Sequence, residues 1–305
     1  ISTAQAYIAD ITTTENRAKG MGLIGAAFGL GFIFGPAIGG ILSRWGIQVP
    51  FYFAAALCFA NSVLLYFRLP ETITPDHPAK HQAAGGRGIG QLIKSLKQPR
   101  LAFVLTIYFL FIVAFSIMTT SFSLYTMFRF GYDAQHTGYL FAYVGLIAVI
   151  IQGGLIGRLV KRFGEIPLVI FGALCFAISL FAVPFVGPAA GGLGALLIGG
   201  GVFSMRNSLA TPALTSLASK SVGAAQQGVV LGVTQSTASL ARAVGPSLTA
   251  ILISSSIAHL GADGVLHYMS DQSLFVTFWT GSAIMLMATL LAFYYGRVGA
   301  TDLHG

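Results

Sequence analysis

The chain has 305 residues, of which 55% are apolar and only 9% are charged, and its formal net charge is +8. That balance excludes an ordinary soluble domain, in which about a quarter of the residues are charged, and an outer-membrane barrel, whose strands alternate in polarity over roughly 10 residues. The basic excess forms no single patch interleaved with exposed aromatics, so nucleic acid is excluded as a partner.

An all-α membrane protein is the class that remains. Apolar stretches of about 20 residues recur, each long enough at ~1.5 Å per residue to cross a hydrocarbon core of ~30 Å. Residues 1–10 are too short to span and read as the last turns of a helix, and with the opening on Ile1 the chain is expected to be a fragment. Full spans are expected at 20–43 and 49–69. A polar stretch, 70–100, follows with Pro75, Pro78 and a Gly85-Gly86-Arg87-Gly88 run; it is the obvious boundary, with a short surface helix expected at 91–96. Six more spans are expected at 101–128, 137–160, 166–186, 191–217, 228–255 and 273–295, giving eight full transmembrane helices plus a partial one.

Lys and Arg in the connecting segments set the orientation. Thirteen basic residues fall on one side and only Arg44 and Arg129 on the other, so the central loop and the C-terminus are expected in the cytoplasm. Arg206 and Arg242 lie inside spans. The helices also repeat: aligning Gly22 with Gly232 places Gly35-Pro36 on Gly245-Pro246, as in transporters built from duplicated halves.

In lipid, apolar side chains gain little by leaving the solvent, so helices associate by close packing, and glycine lets backbones approach. Gly25, Gly29, Pro36 and Gly40 fall roughly on one face, and Gly138, Ala142, Gly145 and Gln152 make a comparable stripe. These stripes are either ordinary packing or an interface that slides. Gln235, Ser239, Arg242, Pro246 and Thr249 form a polar face on an apolar helix. A charge at that depth costs on the order of 3 kcal/mol on insertion scales, so Arg242 either faces protein or water, or snorkels to an interface.

Arg206 lies near the middle of its span beside Asn207, Ser208 and Thr211, and no Asp or Glu lies within a complete span to partner either arginine. A missing helix, a carbonyl, water or an anionic substrate group are the open alternatives. Tyr108, Phe111, Ser116, Thr119, Thr120, Ser121 and Tyr125 mix aromatic and hydroxyl groups on one helix, which suits either packing or a broad amphipathic ligand.

The six histidines are scattered in loops without metal-ligand spacing. Both cysteines, Cys58 and Cys175, sit in apolar segments, which argues against a disulfide or metal site. No nucleophile elbow, Walker loop or HExxH pattern occurs, so an enzyme is not expected, nor a metal or cofactor.

A family becomes visible in Ala6-Tyr7-Ile8-Ala9-Asp10, Arg17-Ala18-Lys19-Gly20 and the run Gly31-Phe-Ile-Phe-Gly35-Pro36-Ala-Ile-Gly39-Gly40. Together they resemble the end of the fourth and the whole fifth helix of the major facilitator superfamily, in its tetracycline-efflux-like drug:proton antiporter branch. Gly157-Arg-Leu-Val-Lys161-Arg162-Phe-Gly164 is similar to the second copy of the family's cytoplasmic loop motif, with Lys161 where an acid is usual.

The resemblance implies a helical bundle in three parts: residues 1–69 as a truncated N-terminal half, 70–100 as a cytoplasmic loop and 101–305 as a six-helix half. It implies proton-coupled efflux of a small amphipathic compound by alternating access, in the inner cell membrane, with the missing N-terminal helices as partners. Arg206, Asn207, Thr211, Gln235, Arg242, Tyr108, Phe111 and Thr119 are the substrate-cavity candidates. Gly31, Gly35, Pro36, Gly39 and Gly40, with the second glycine stripe, make the antiporter motif and interdomain packing. Asp10, Arg17, Gly157, Arg162 and Gly164 are the cytoplasmic gate candidates. The rival expectations are an importer of a sugar or metabolite, and a non-transporting scaffold or receptor-like fragment.

Overall fold

The structure, a computed structural model, describes residues 4, 7, 11, 27, 31, 34–35, 38–69, 99–151, 155–221, 227–254, 259–260, 266–267 and 270–301. The expected surface helix at 91–96 lies outside these residues. Apart from two two-residue strands, β1 (His259–Leu260) and β2 (Leu266–His267), paired antiparallel, every regular element is helical.

The expected count of eight full spans plus a partial one is corrected by the structure. Among the described residues four helices are long and apolar enough to cross a membrane: Val49–Arg68, Pro99–Phe130, Glu165–Phe185 and Asp271–Arg297. Two helices of 29 and 28 residues miss that standard because they carry Gly, Ser and Thr around a mid-helix arginine. Another, at 17 residues, is too short, and the segment expected as the first span is described only in part.

The chain divides into two compact units, residues 1–90 with 134–145 and residues 91–133 with 146–305. In the first unit, helical residues 38–42 run into a 3-10 turn at Ser43–Trp45. Gly46, at φ +132°, ends that turn, a backbone state that a side chain rarely adopts. Helix α1 (Val49–Arg68) begins on Pro50 in its first turn, where the missing N–H costs nothing. No residue of α1 is buried, and Phe51, Phe59, Leu64 and Phe67 leave it apolar on every side, the pattern of a helix whose solvent is hydrocarbon or other helices. The first twelve residues of α3 (Ala134–Ile150) complete the unit.

The second unit is organised around α2 (Pro99–Phe130), with Phe111, Ile117 and Tyr125 fully buried. Helices α7 (Gln227–Ser254) and α8 (Asp271–Thr301) pack against α2. Helix α5 (Glu165–Ala182) packs between α8 and α6 (Gly192–Lys220). The short α4 (Ile156–Phe163) leads into α5 through Gly164, whose φ of +78° makes the break.

Helices α2 and α8 run antiparallel: Phe103 meets Tyr294 and Tyr295 at one end, and Tyr125 meets Phe278 toward the other. Hydroxyls inside the helices bond back to carbonyls one turn earlier, as Thr234, Thr237, Thr277 and Thr289 do. That satisfies the polar groups where water is scarce.

The two ends of this unit are tied by charge. At one, Glu165 accepts from Lys220 and from Ser216 Oγ at 3.1 Å. At the other, Arg129 pairs with Asp271 at 3.1 Å and donates to the Pro184 carbonyl at 3.2 Å, while the Tyr125 hydroxyl donates to the Val186 carbonyl at 2.6 Å.

Candidate functional site

Helices in a membrane reveal their surroundings through their open faces. On α5 the exposed large side chains are Phe171, Leu174, Ile178 and Phe181; on α8 they include Val276, Trp279, Leu286, Met287, Leu290 and Phe293. Such faces match hydrocarbon. Helix α7 differs. Its exposed residues include Ser236, Ser239, Arg242, Ala243, Pro246, Ser247 and Ala250, spaced by three and four and therefore on one side. Leu240 and Ile251 are also exposed, at one margin of this face, and at 100° per residue Arg242 falls at the opposite margin with half-buried Gln235. The opposite side of α7 is small and buried, with Ala238, Ala241, Gly245 and Thr249.

The depth of this face follows from one contact. A Cβ on Gly245 would stand 2.4 Å from the Ser116 Cβ, 3.1 Å from the Val113 carbonyl oxygen and 3.2 Å from the Ile117 nitrogen. Ser116 is close to the middle of α2, which is long and apolar enough to span. Arg242, one turn before Gly245, therefore lies near mid-depth, where a guanidinium needs protein or water around it. The acids among the described residues, Asp133, Glu165 and Asp271, all sit at helix ends or in a turn, and Lys220 and Arg129 engage the latter two.

Of the other cavity candidates, Tyr108 adjoins this region, since its phenol lies within the electrostatic reach of Arg242; its side chain is buried. Phe111 belongs to the core, fully buried with its ring 6.1 Å from that of Phe176. The half-buried Thr119 hydroxyl is spent on the Phe115 and Ser116 carbonyls, each at 3.1 Å. Arg206 and Asn207 are helical in the middle of α6, but their side chains lie outside the described set; Thr211, further along α6, is half-buried. A shallow crevice lined by Val104, Ile107, Val169, Leu214 and Ala292 offers only apolar atoms.

In the first unit the structure brings Gly40 and Gly138 together. A Cβ on Gly40 would stand 3.2 Å from the Gly138 Cα and 3.3 Å from the Ala134 carbonyl oxygen. At Gly31, Gly35 and Gly39 a Cβ would meet nothing within 4 Å. Gly145 is buried and Ala142 half-buried on α3. Pro36, Gln152, Asp10 and Arg17 lie outside the described residues. Among the gate candidates Gly157 is helical within α4, Arg162 is exposed with its guanidinium 5.4 Å from the Phe163 ring centroid, and Gly164 makes the break before α5.

Sequence reasoning missed the polar ties. Arg44 donates from Nε to Gln135 Oε1 at 2.6 Å and from Nη2 to the Tyr139 hydroxyl at 2.8 Å, and Gln135 Nε2 donates to the same hydroxyl at 2.9 Å. Arg44 follows Gly40 by four residues and Gln135 precedes Gly138 by three, so a close glycine contact flanked by long polar side chains was the available signal.

A family model described as Major Facilitator Superfamily matches residues 1–246. The chain is similar to Multidrug resistance protein 2 of Bacillus subtilis (strain 168), with 33% identity over 250 residues, 81% of this chain and 61% of that protein. It is similar to Tetracycline resistance protein, class D, of Salmonella ordonez, with 31% identity over 267 residues, 86% of this chain and 64% of that protein. Solute carrier family 22 member 18 of Rattus norvegicus shares 31% identity over 254 residues, 82% of this chain and 60% of that protein. The chain thus spans about three fifths of the length of these curated relatives. Among solved structures, the crystal structure of the human organic anion transporter MFSD10 (TETRAN) resembles it with a TM-score of 0.68 and 25% identity, covering 95% of this chain and 67% of that one.

Proposed function

The chain belongs to the Major Facilitator Superfamily, and from that premise we propose that it moves a small amphipathic solute out of the cell by alternating access, driven by the proton gradient. It is a multi-pass integral membrane protein of the transporter class and not an enzyme. The observation that carries the reading is the open face of α7: serines and an arginine at the mid-depth of α2, where α5 and α8 expose large apolar groups. A face of that kind lines water rather than lipid, and a solute path is what needs one.

In this reading Arg242, Gln235 and Tyr108 contribute to the solute-binding surface, with Arg206, Asn207 and Thr211 on α6, while Phe111 and Thr119 shape it from α2. The seam at Gly40 and Gly138 keeps two backbones close enough to exclude leak, with Gly31, Gly35, Pro36 and Gly39 continuing the motif. Asp10, Arg17, Gly157, Arg162 and Gly164 belong to the cytoplasmic gate. Residues 1–69 form part of one half, 70–100 the cytoplasmic connection and 101–305 the other half, in a bundle that rocks about the path. The names of the resistance-protein relatives support a drug-like solute.

The test is solute flux in vesicles holding the full-length protein under an imposed pH gradient. Drug-like solute moving against its own gradient only while the proton gradient lasts is the expected result. Flux of a sugar or metabolite indifferent to the gradient would replace export with facilitated import.

A further inference from the structure

We infer that the solute using the α7 face carries a negative charge, and that Arg242 is the group that holds it. This rests on the reading of that face as a solute path and adds the substrate's class to it. A guanidinium keeps its charge at any physiological pH, so the face is permanently positive at Arg242. Its neighbours along the face, Gln235, Ser236, Ser239 and Ser247, are neutral hydrogen-bonding groups. The described carboxylates are at the helix ends, where Lys220 neutralises Glu165 and Arg129 neutralises Asp271. Among the described residues nothing on the face offsets the charge of Arg242.

The consequence is selection by sign. For a charge ~6 Å away, Coulomb's law gives an attraction worth about 3-fold in bulk water and about 100-fold at an effective dielectric constant near 20, and equal repulsion of a cation. The Gln235 amide beside the guanidinium suits a carboxylate or sulfonate, the Ser236, Ser239 and Ser247 hydroxyls donate to the Gly232, Gln235 and Ala243 carbonyls, and the apolar margin at Leu240 and Ile251 suits an aromatic or aliphatic body. An amphipathic organic anion fits both parts.

The test places a cysteine at Ser239, one turn from Arg242 on the open face, in the full-length protein with Cys58, Cys175 and every other native cysteine replaced by serine. A small water-soluble thiol reagent is applied in membranes, with or without 8-anilinonaphthalene-1-sulfonate as the anionic probe and ethidium as the cationic one. The expected result is labelling that the sulfonate slows by severalfold and ethidium does not. In Arg242→Gln the labelling persists and the protection is lost; in Arg242→Lys, which keeps the charge, protection returns at least in part. Labelling protected by ethidium alone, by neither probe, or equally by the sulfonate in Arg242→Gln overturns the inference while leaving the path intact. No labelling of the cysteine at all overturns the path reading itself.

Discussion

Gly245 and Ser116 approach so closely that a Cβ on the glycine would stand 2.4 Å from the serine's own Cβ. The contact sets the depth of α7 against α2, and with it the position of Arg242. Since backbone atoms of Val113 and Ile117 also crowd the site at 3.1 and 3.2 Å, the neighbours have no flexible side-chain end to withdraw. Gly245→Ala should therefore cost about 1–3 kcal/mol, the usual range for overpacking. Thermal unfolding in detergent checks this, with Gly232→Ala as the control: a Cβ there meets nothing within 4 Å, and alanine's better helix propensity should leave stability equal or slightly higher.

The seam in the first unit makes a parallel contrast. Gly40→Val drives a branched side chain into the Gly138 Cα and the Ala134 carbonyl, whereas Gly194→Ala, outside the seam, enters open space. Flux by the full-length protein should fall at least severalfold in the first variant and stay near the parent level in the second. Cross-linking yield between cysteines at Ser43 and Gln135 would report the widened seam directly, dropping in Gly40→Val only.

The ion pair of Arg129 and Asp271 joins the end of α2 to the start of α8, but the Asp271 side chain is 62% exposed. Asp271→Ala should cost no more than ~1 kcal/mol, and less in high salt. Arg129→Ala also forfeits the bond to the Pro184 carbonyl and should cost about 1–3 kcal/mol, of which only the ion-pair part shrinks in high salt. Unfolding midpoints at low and high ionic strength separate the two.

The all-helical nature of the fold and the mixed character of α7 were legible in the sequence because composition and helical periodicity act locally. The pattern Gln235, Ser239, Arg242, Pro246 and Thr249 implied one polar face, but Thr249 is buried on the side of α7 that carries Gly245 and Gln235 is half-buried, because packing against α2 turns the exposed face toward Ser236, Ala243 and Ser247. The span count was not legible in the same way. Counting apolar stretches treats Arg206 and Arg242 as exceptions inside spans, yet those residues with the surrounding Gly, Ser and Thr are what take α6 and α7 below the apolarity of α2, α5 and α8. The long-range ties were hidden for another reason: Arg44 and Gln135, or Glu165 and Lys220, are far apart in the chain and carry no shared period. Phe111 and Tyr108 look alike in sequence, and only packing places the first ring against Phe176 in the core and the second within reach of Arg242.

A cysteine scan of α7 in membranes, read by a membrane-impermeant thiol reagent, bears most directly on the whole account. Cysteines at Ser236, Ser239, Ala243, Ser247 and Ala250 should react, while those at buried Ala238 and Ala241 and at lipid-facing Ile178 and Leu290 should not. Uniform silence along the exposed side of α7, or equal reaction at Leu290, would contradict a water-lined solute path on this helix.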